Sequence, residues 1–163
     1  GGYWNGKKYT LKLQSDMIKK KKNKIFIDGA ISPAFIADAI AKHSAKKNIG
    51  AHSIFLGQVR NDRVDEKEIV AIEYMAYTEM AEEIFHEIRE AAFEKYSLTC
   101  LHIHHSLGRV HSGEISLFIF TSSVHRKDAI QACSEVVERI KKEAPVWGKE
   151  RFTGEDFQWK INS

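Results

Sequence analysis

Cysteine is scarce in this sequence, and Cys100 and Cys133 are the only two among 163 residues. Both lie in apolar, periodic segments and lack the spacing of metal ligands, which argues against a disulfide framework and against a zinc site. We therefore expect two buried, reduced thiols and no redox chemistry.

Long apolar runs are also missing. None approaches the roughly 18 residues that a membrane span requires, and no apolar segment follows the early lysines as it would in a signal peptide. The sequence therefore predicts a soluble, cytoplasmic protein without membrane association. Its length, with 43% hydrophobic residues, suits one domain with a substantial core.

A large excess of charge of one sign is absent, because the net charge is only +3. Part of it comes from the lysine run 19–22, within a segment 1–23 whose composition differs from the rest. The basic residues are not interleaved with aromatic ones as in an RNA-binding sheet, so no nucleic-acid partner is expected. We interpret 1–23 as an extension or a segment of cloning origin, with Met17 as a candidate start, and 24–163 as the domain.

The domain shows strand and helix patterns in turn. Ser32 followed by Pro33 is typical of a helix start, helical spacing predicts a second helix from Met80 to Ala91, and a third is predicted over about 124–143. Alternating apolar residues predict strands at 25–27, 51–59, 68–76, 99–106, 115–122 and 157–160. This order predicts an α+β fold with helices packed on a largely antiparallel sheet.

The third predicted helix carries cationic residues at both ends. His125 and Arg126 stand at its start, where unpaired N–H groups and the helix dipole attract anions. At the far end, Pro145 disfavours helix at Ala144 and predicts an extended chain beyond it. Both ends are therefore candidate sites for an anionic ligand.

Helical phase separates the two lysines near that end. Lys141 falls at the border of the apolar face and Lys142 nearly opposite it. The apolar face is predicted to consist of Ile130, Cys133, Val136, Val137 and Ile140. We expect Lys141 to reach a site beside the core, although a border lysine is also common as a surface residue.

Two further patterns have a functional and a plain interpretation. Arg60, at a predicted strand end, could offer a planar fork to phosphate or carboxylate, or simply open an exposed loop. His102 and His104 share one strand face and His105 takes the other, so a partly buried or interfacial set is favoured over a metal cluster.

Five segments together resemble one family in order and spacing. They are FLGQVR (55–60), EYMAY (73–77), HHSLG (104–108), SSVHRKDA (122–129) and IKKEAPVW (140–147). Over about residues 25–160 the chain resembles the large, catalytic subunit of molybdopterin synthase, the MoaE family.

The resemblance implies an α/β hammerhead-type fold and a homodimer within a heterotetramer. A small ubiquitin-like subunit docks at each outer end and inserts its C-terminal Gly-Gly thiocarboxylate, which supplies sulfur. The substrate is cyclic pyranopterin monophosphate, which receives two sulfurs to become the dithiolene of molybdopterin while its cyclic phosphate opens. No metal or cofactor is implied.

The resemblance also implies roles for individual residues. Lys141 is the principal catalytic lysine, and Lys149 is the second lysine expected in the site. Residues expected at the substrate are Gln58, Val59, Arg60, His125, Arg126, Lys141, Gly148, Lys149 and Glu150.

The chain departs from the family pattern directly after the tryptophan, where a second active-site lysine is common and Gly148 stands here. Either Lys149 takes that role, because Gly148 gives the backbone extra freedom, or the site works with one lysine fewer. The alternative function is a non-catalytic relative that binds a pterin or the partner. Ser106 is a second departure, at a position where arginine is frequent.

Overall fold

The computed structural model describes residues 24–154 and 156–161. In chain order the elements of this part are β1 (Phe26–Asp28), α1 (Pro33–His43), β2 (Ala51–Gln58), β3 (Arg63–Val64), β4 (Lys67–Ala76), α2 (Thr78–Lys95), β5 (Cys100–His111), β6 (Ile115–Ser123), α3 (Arg126–Glu143), β7 (Val146–Phe152) and β8 (Phe157–Trp159). The interpretation of 1–23 as a separate segment lies outside the described residues.

The strands form one sheet in the order β2-β6-β5-β4-β7-β8, with β1 paired to β5 and β3 to β4. The β1–β5 pairing is parallel and the others are antiparallel. The long strand β5 joins the two halves, because residues 100–105 pair with β6 and residues 108–111 pair with β4. The predicted α+β fold with a largely antiparallel sheet is confirmed.

Strand β6 shows how helices cover both faces of the sheet. Leu117 and Ile119 pack into the main core with α2 and α3, whereas Phe118 and Phe120 pack with Ile31 on the side of α1. Successive side chains of a strand point to opposite faces, so one apolar strand serves two layers.

The start of α1 follows its sequence signal. Ser32 is the N-cap, its hydroxyl accepts a hydrogen bond from the Phe35 amide at 3.1 Å, and Pro33 is the first helical residue. The cap satisfies one of the amides that a helix start leaves unpaired.

The inward face of α3 differs from the predicted one at one position. Ile130 is 55% exposed, whereas Ala129 and Ala132 are fully buried. The small alanines let the helix approach the sheet closely, and Thr121 Oγ1 donates to the Ala129 carbonyl oxygen at 2.7 Å. This contact rotates Ile130 outward; Cys133, Val136 and Ile140 are buried as predicted.

Strand β7 was predicted only as an extended segment after Pro145. It runs from Val146 to Phe152 between β4 and β8, although charged residues occupy its middle. Strand β5 also continues past the predicted end at residue 106 to His111. The lengths of β5 and β7 are set by pairing with neighbouring strands, and the local sequence pattern contains no information about that pairing.

The cysteines and the helices of the described residues bear on two expectations, that the thiols are buried and that no segment spans a membrane. Cys100 and Cys133 are buried and free, as predicted. No helix in the described ranges is long and apolar enough to cross a membrane.

Candidate active site

The end of α3 and the start of β7 meet in a tight turn. Ala144 has extended backbone angles (φ −73°, ψ 128°) directly before Pro145, and its amide donates to the Ile140 carbonyl oxygen at 3.1 Å. This is the helix stop that proline dictates. The turn brings the last-turn residue Lys141 beside the first residues of β7.

A pocket lies between this turn, β4, β5 and the chain after β8. Of the described residues, those lining it are Tyr74, His105, Leu117, Ile140, Lys141, Ala144, Val146, Trp147, Gly148 and Lys160. Two of these carry amines and none carries a carboxylate. The lining is therefore suited to an anionic ligand.

Lys141 contributes one of the two amines. Its side chain is exposed along part of its surface, yet it lines the pocket. Desolvation by surrounding protein, and then the charge of Lys160, lowers the pKa of Lys141 below its ordinary value. Lys142 is exposed and is not among the lining residues, in agreement with the helical phase.

His105 forms the floor of the pocket as a neutral ring. It is buried, its Nδ1 donates to the Ser106 carbonyl oxygen at 2.7 Å, and its ring centroid lies 5.1 Å from that of Tyr74. Burial first, and then the charges of Lys141 and Lys160, lowers the pKa of His105 to about 4. The imidazole is therefore uncharged at neutral pH.

Tyr74 is held against the opposite wall. Its hydroxyl donates to Ser116 Oγ at 3.2 Å, and Ser116 Oγ lies 3.4 Å from the Gly57 carbonyl oxygen. Burial, and to a smaller extent the charge of Glu150, raises the pKa of the phenol. Tyr74 is therefore a protonated phenol at neutral pH, and its single O–H donor is directed to Ser116.

Gly148 and Lys149 are successive residues of β7, and their positions point to opposite faces of the sheet. Gly148 is buried and lines the pocket. Lys149 faces the other way, with Nζ 4.1 Å from the ring centroid of Phe157 and 5.4 Å from that of Trp159. The structure thus does not place Lys149 among the described pocket-lining residues.

Glu150, by contrast, shares the face of Gly148. Its Oε1 accepts a hydrogen bond from Gln158 Nε2 at 3.0 Å, and its negative charge raises the pKa of the nearby Lys160. Glu150 therefore acts on the lining residue Lys160 without being one of the lining residues itself.

The segment that ends β2 is divided between core and surface. Val59 is 2% exposed and packs with Ile72 and Tyr74, so its side chain belongs to the core. Gln58 is exposed. Arg60 pairs with Asp62 at 3.1 Å, and its charge lowers the pKa of Lys160, which places its guanidinium within electrostatic reach of the pocket.

His125 and Arg126 lie at the opposite end of α3 from Lys141. His125 is the N-cap residue and Arg126 the first helical residue, and both are exposed. With a rise of about 1.5 Å per residue, the helix separates Arg126 from Lys141 by about 22 Å. A single chain does not bring these predicted ligands together.

The histidines of β5 divide as the strand period predicts. His102 and His104 face α1, where His102 Nε2 lies 3.0 Å from His43 Nε2 and the His104 ring lies 4.9 Å from that of Phe35.

The donor atoms of His43, Cys100 and His102 lie within 4.8 Å of one another. Each of the three already has a protein partner, because His43 Nδ1 donates to the Ala39 carbonyl oxygen at 2.7 Å and Lys46 Nζ donates to Cys100 Sγ at 2.9 Å. The cluster is therefore a hydrogen-bonded contact between α1 and the sheet.

Ser106, which stands where arginine is frequent in the family, is fully buried.

Sequence reasoning did not assign Tyr74, His105 or Lys160 to the site. The face opposite His102 and His104 was the available signal for His105, and alternation along the EYMAY segment was the signal for Tyr74. Lys160 had none, because the turn between β7 and β8 decides where it lies.

Exposed apolar side chains border the pocket. We call this group the aromatic patch; it consists of Met75, which pairs with Trp147 across β4 and β7, together with Tyr77 and Trp147, and its members are 41–64% exposed. The rings of Tyr77 and Trp147 meet edge to face at 4.7 Å, and Trp147 also lines the pocket. Such a patch is typical of a contact surface.

The fold and this pocket define an α+β protein whose amine-lined site at the end of a helix is suited to anionic groups. Residues 30–143 match the family described as MoaE protein. The chain belongs to this family.

Relatives and solved structures agree with that assignment. The molybdopterin synthase catalytic subunit of Pyrococcus abyssi is 35% identical over 71% of this chain and 76% of its own length. A crystal structure of molybdopterin synthase from Staphylococcus aureus has a TM-score of 0.74 at 29% identity and covers 85% of this chain and 96% of that one. A chain from a complex of subunits 1 and 2 of the Helicobacter pylori molybdopterin-converting factor shares the fold, with a TM-score of 0.71 at 24% identity and coverage of 83% and 88%.

Proposed function

We propose that this chain is a sulfurtransferase that moves sulfur from the C-terminal thiocarboxylate of a small ubiquitin-like partner to cyclic pyranopterin monophosphate. The observation that carries the proposal is the amine-lined pocket at the end of α3, in a chain of the MoaE family. Both proposed ligands are anions, as the charge of the lining requires.

Each transfer exchanges sulfur for oxygen. The thiocarboxylate sulfur attacks a substrate carbon and displaces an oxygen substituent, which leaves as water or as the oxygen of the phosphate ester. Water then cleaves the acyl C–S bond, so the partner keeps a carboxylate and the sulfur stays on the substrate carbon. Two transfers produce the dithiolene, and the cyclic phosphate opens. No electrons are gained or lost by the protein, so the pocket needs only to hold two anions together and to activate one of them.

Lys141 is the group that we assign to this activation. The negative end of the α3 dipole stabilises its ammonium form, and this ammonium can pair with the thiocarboxylate or the phosphate. Its lowered pKa increases the fraction of free amine, which is the form that can accept a proton from the water that cleaves the acyl C–S bond. Arg60, whose side chain is 71% exposed, offers further N–H donors to the phosphate.

The aromatic patch is our candidate contact for the partner. Trp147 belongs to the patch and also lines the pocket, so a partner bound on the patch would have its C-terminal tail beside the pocket of Lys141. Exposed aromatic and methionine side chains are the residues that interfaces favour.

A homodimer is the assembly that we propose for this subunit, with a small subunit bound to each protomer as a heterotetramer. Within one chain about 22 Å of helix separates Arg126 from Lys141, so a shared ligand needs the α3 start of a second copy. The edge strand β2 exposes Ile54 (37%) and Leu56 (42%), which is consistent with a covered edge in the assembly. A cytoplasmic location is also proposed, supported by the two free thiols.

Reconstitution with thiocarboxylated small subunit and cyclic pyranopterin monophosphate tests the function. The wild type is expected to form the dithiolene, and Lys141→Ala to lose at least about 100-fold in rate while melting at the same temperature. Lys142→Ala, one residue away and exposed, is the matched control. Substrate and partner binding without product in the wild type would support the non-catalytic relative instead.

A further inference from the structure

Lys160 enters the pocket from the last described strand of the sheet. Its amide donates to the Gly148 carbonyl oxygen at 2.8 Å, which continues the pairing of β7 with β8 by one residue. Phe157 and Trp159 face Lys149 on one side of the sheet. Alternation then directs Lys160 to the other side, where the pocket lies.

Gly148 provides the space in which the Lys160 side chain lies. A Cβ placed on Gly148 would lie 3.4 Å from Lys160 Cβ and 3.5 Å from Lys160 Cδ. The lysine stem therefore runs along the bare backbone of Gly148. A residue with a side chain at position 148 would occupy the same groove.

The amine of Lys160 belongs to the same electrostatic unit as Lys141. The charge of Lys160 lowers the pKa of Lys141, and both charges lower the pKa of His105. Lys160 itself is half-buried, and desolvation lowers its pKa. The amines of Lys141 and Lys160 and the neutral ring of His105 all line the same pocket. An anion bound in this pocket would be attracted by both amines.

We propose that Lys160 is a second substrate-contacting lysine of this pocket, delivered by β8 along the groove that Gly148 leaves open. The inference rests on the proposed function, because the anion that it contacts is the phosphate or the thiocarboxylate of that reaction. Lys141 lies on α3 and Lys160 directly follows β8, so the two amines can contact a bound anion from two sides.

Lys160 and Lys149 differ in where their amines lie. Lys149 is only two residues after Trp147 in the sequence, but its amine is directed to the rings of Phe157 and Trp159. The match to the MoaE family ends at residue 143, so it covers neither of these two lysines. Their positions in space decide between them.

The test compares Lys160→Met, which keeps the stem and removes the charge, with Lys149→Met and Lys142→Met in the full chain. Lys160→Met is expected to lower the single-turnover rate of dithiolene formation about 100-fold and to weaken binding of cyclic pyranopterin monophosphate, measured without the sulfur donor, roughly tenfold. Lys160→Gln is made in parallel, and melting curves identify any variant that fails to fold. Lys142→Met is the control for loss of a surface charge.

The results separate this inference from the proposed function. A wild type that forms no dithiolene contradicts the function itself. An active wild type, an inactive Lys141→Ala and a Lys160→Met variant within twofold of the wild type in both assays would overturn the role of Lys160 alone. Loss of activity in Lys149→Met with retention in Lys160→Met would overturn it in favour of Lys149.

Discussion

Arg151 and Glu73 form a two-bond ion pair across β7 and β4, with Nε–Oε1 and Nη2–Oε2 both at 3.1 Å. Arg109 of β5 donates to the same Oε1 through Nε at 3.2 Å. The Glu73 carboxylate thus ties three neighbouring strands together on the face opposite Tyr74. This contact holds the sheet that carries the pocket.

The ion pair predicts how stability depends on pH. Hydrogen bonds from Arg151 and then Arg109 lower the pKa of Glu73 from 4.5 to about 2. Its stabilising contribution is therefore complete at neutral pH and is lost as the pH falls from about 4.5 towards 2. Glu73→Gln should lower the free energy of unfolding near neutral pH, and the difference from wild type should shrink in that acid range. Denaturant titrations across the range measure it, and a constant difference would contradict the assignment.

A second prediction concerns the coupling of the two pocket lysines. Desolvation and the positive charge of Lys160 lower the pKa of Lys141, so removal of that charge in Lys160→Met should raise the Lys141 pKa towards its ordinary value. NMR titration of the ¹³Cε signal of labelled lysines, assigned with Lys141→Arg, measures the shift. Lys142→Met should leave the Lys141 signal unchanged, and an unchanged pKa in Lys160→Met would show that the two amines are not coupled.

The close contact at Gly148 predicts a packing defect. A Cβ at this position would lie 2.9 Å from Ile72 Cγ2, nearer than the side chain can tolerate without movement. Gly148→Ala should cost about 1–3 kcal/mol in free energy of unfolding and should weaken substrate binding by displacing the Lys160 stem. Urea denaturation and calorimetric titration check the two effects, and a variant as stable as wild type would argue against the close approach.

The layer beneath α1 predicts a large effect from one core residue. Phe118 is fully buried and lies against Phe35 and Phe120, so Phe118→Ala should cost about 3–5 kcal/mol. Phe157→Ala is the matched control, because that ring is 48% exposed. Thermal unfolding should separate the two variants clearly; equal losses would contradict the assigned layers.

The cap of α1 predicts a smaller effect. Ser32→Ala removes the hydroxyl that accepts from the Phe35 amide and should cost about 1 kcal/mol. Ser32→Asp keeps an acceptor and should restore most of the loss. Chemical denaturation of the three proteins tests this, and equal stability of the alanine and aspartate variants would mean that the cap is not what matters.

The elements that could be predicted from sequence are those with a local signal. Ser32 and Pro33 begin α1, Pro145 ends α3, and the apolar alternation of β6 gives a strand that serves two layers. Each rests on residues within one turn or one strand. Local signals were sufficient for the fold class and for choosing Lys141 over Lys142.

The missed features depend on contacts between distant segments. Ile130 faces outward because Ala129 packs against Thr121, and β7 is a strand because β4 and β8 flank it. Lys160 reaches the pocket through pairing with Gly148, 12 residues earlier in the sequence. No periodicity within a single segment carries this information.

The short strand β8 holds the following residue, Lys160, at the pocket, and this strand can open independently of the rest of the domain. It pairs with β7 through three residue pairs, Lys149–Trp159, Glu150–Gln158 and Arg151–Phe157, and lies at the edge of the described sheet. Such an edge detaches at a lower free energy than the whole domain unfolds. Amide hydrogen exchange should therefore be faster in β8 than in β5, and each detachment would carry the Lys160 amine out of the pocket.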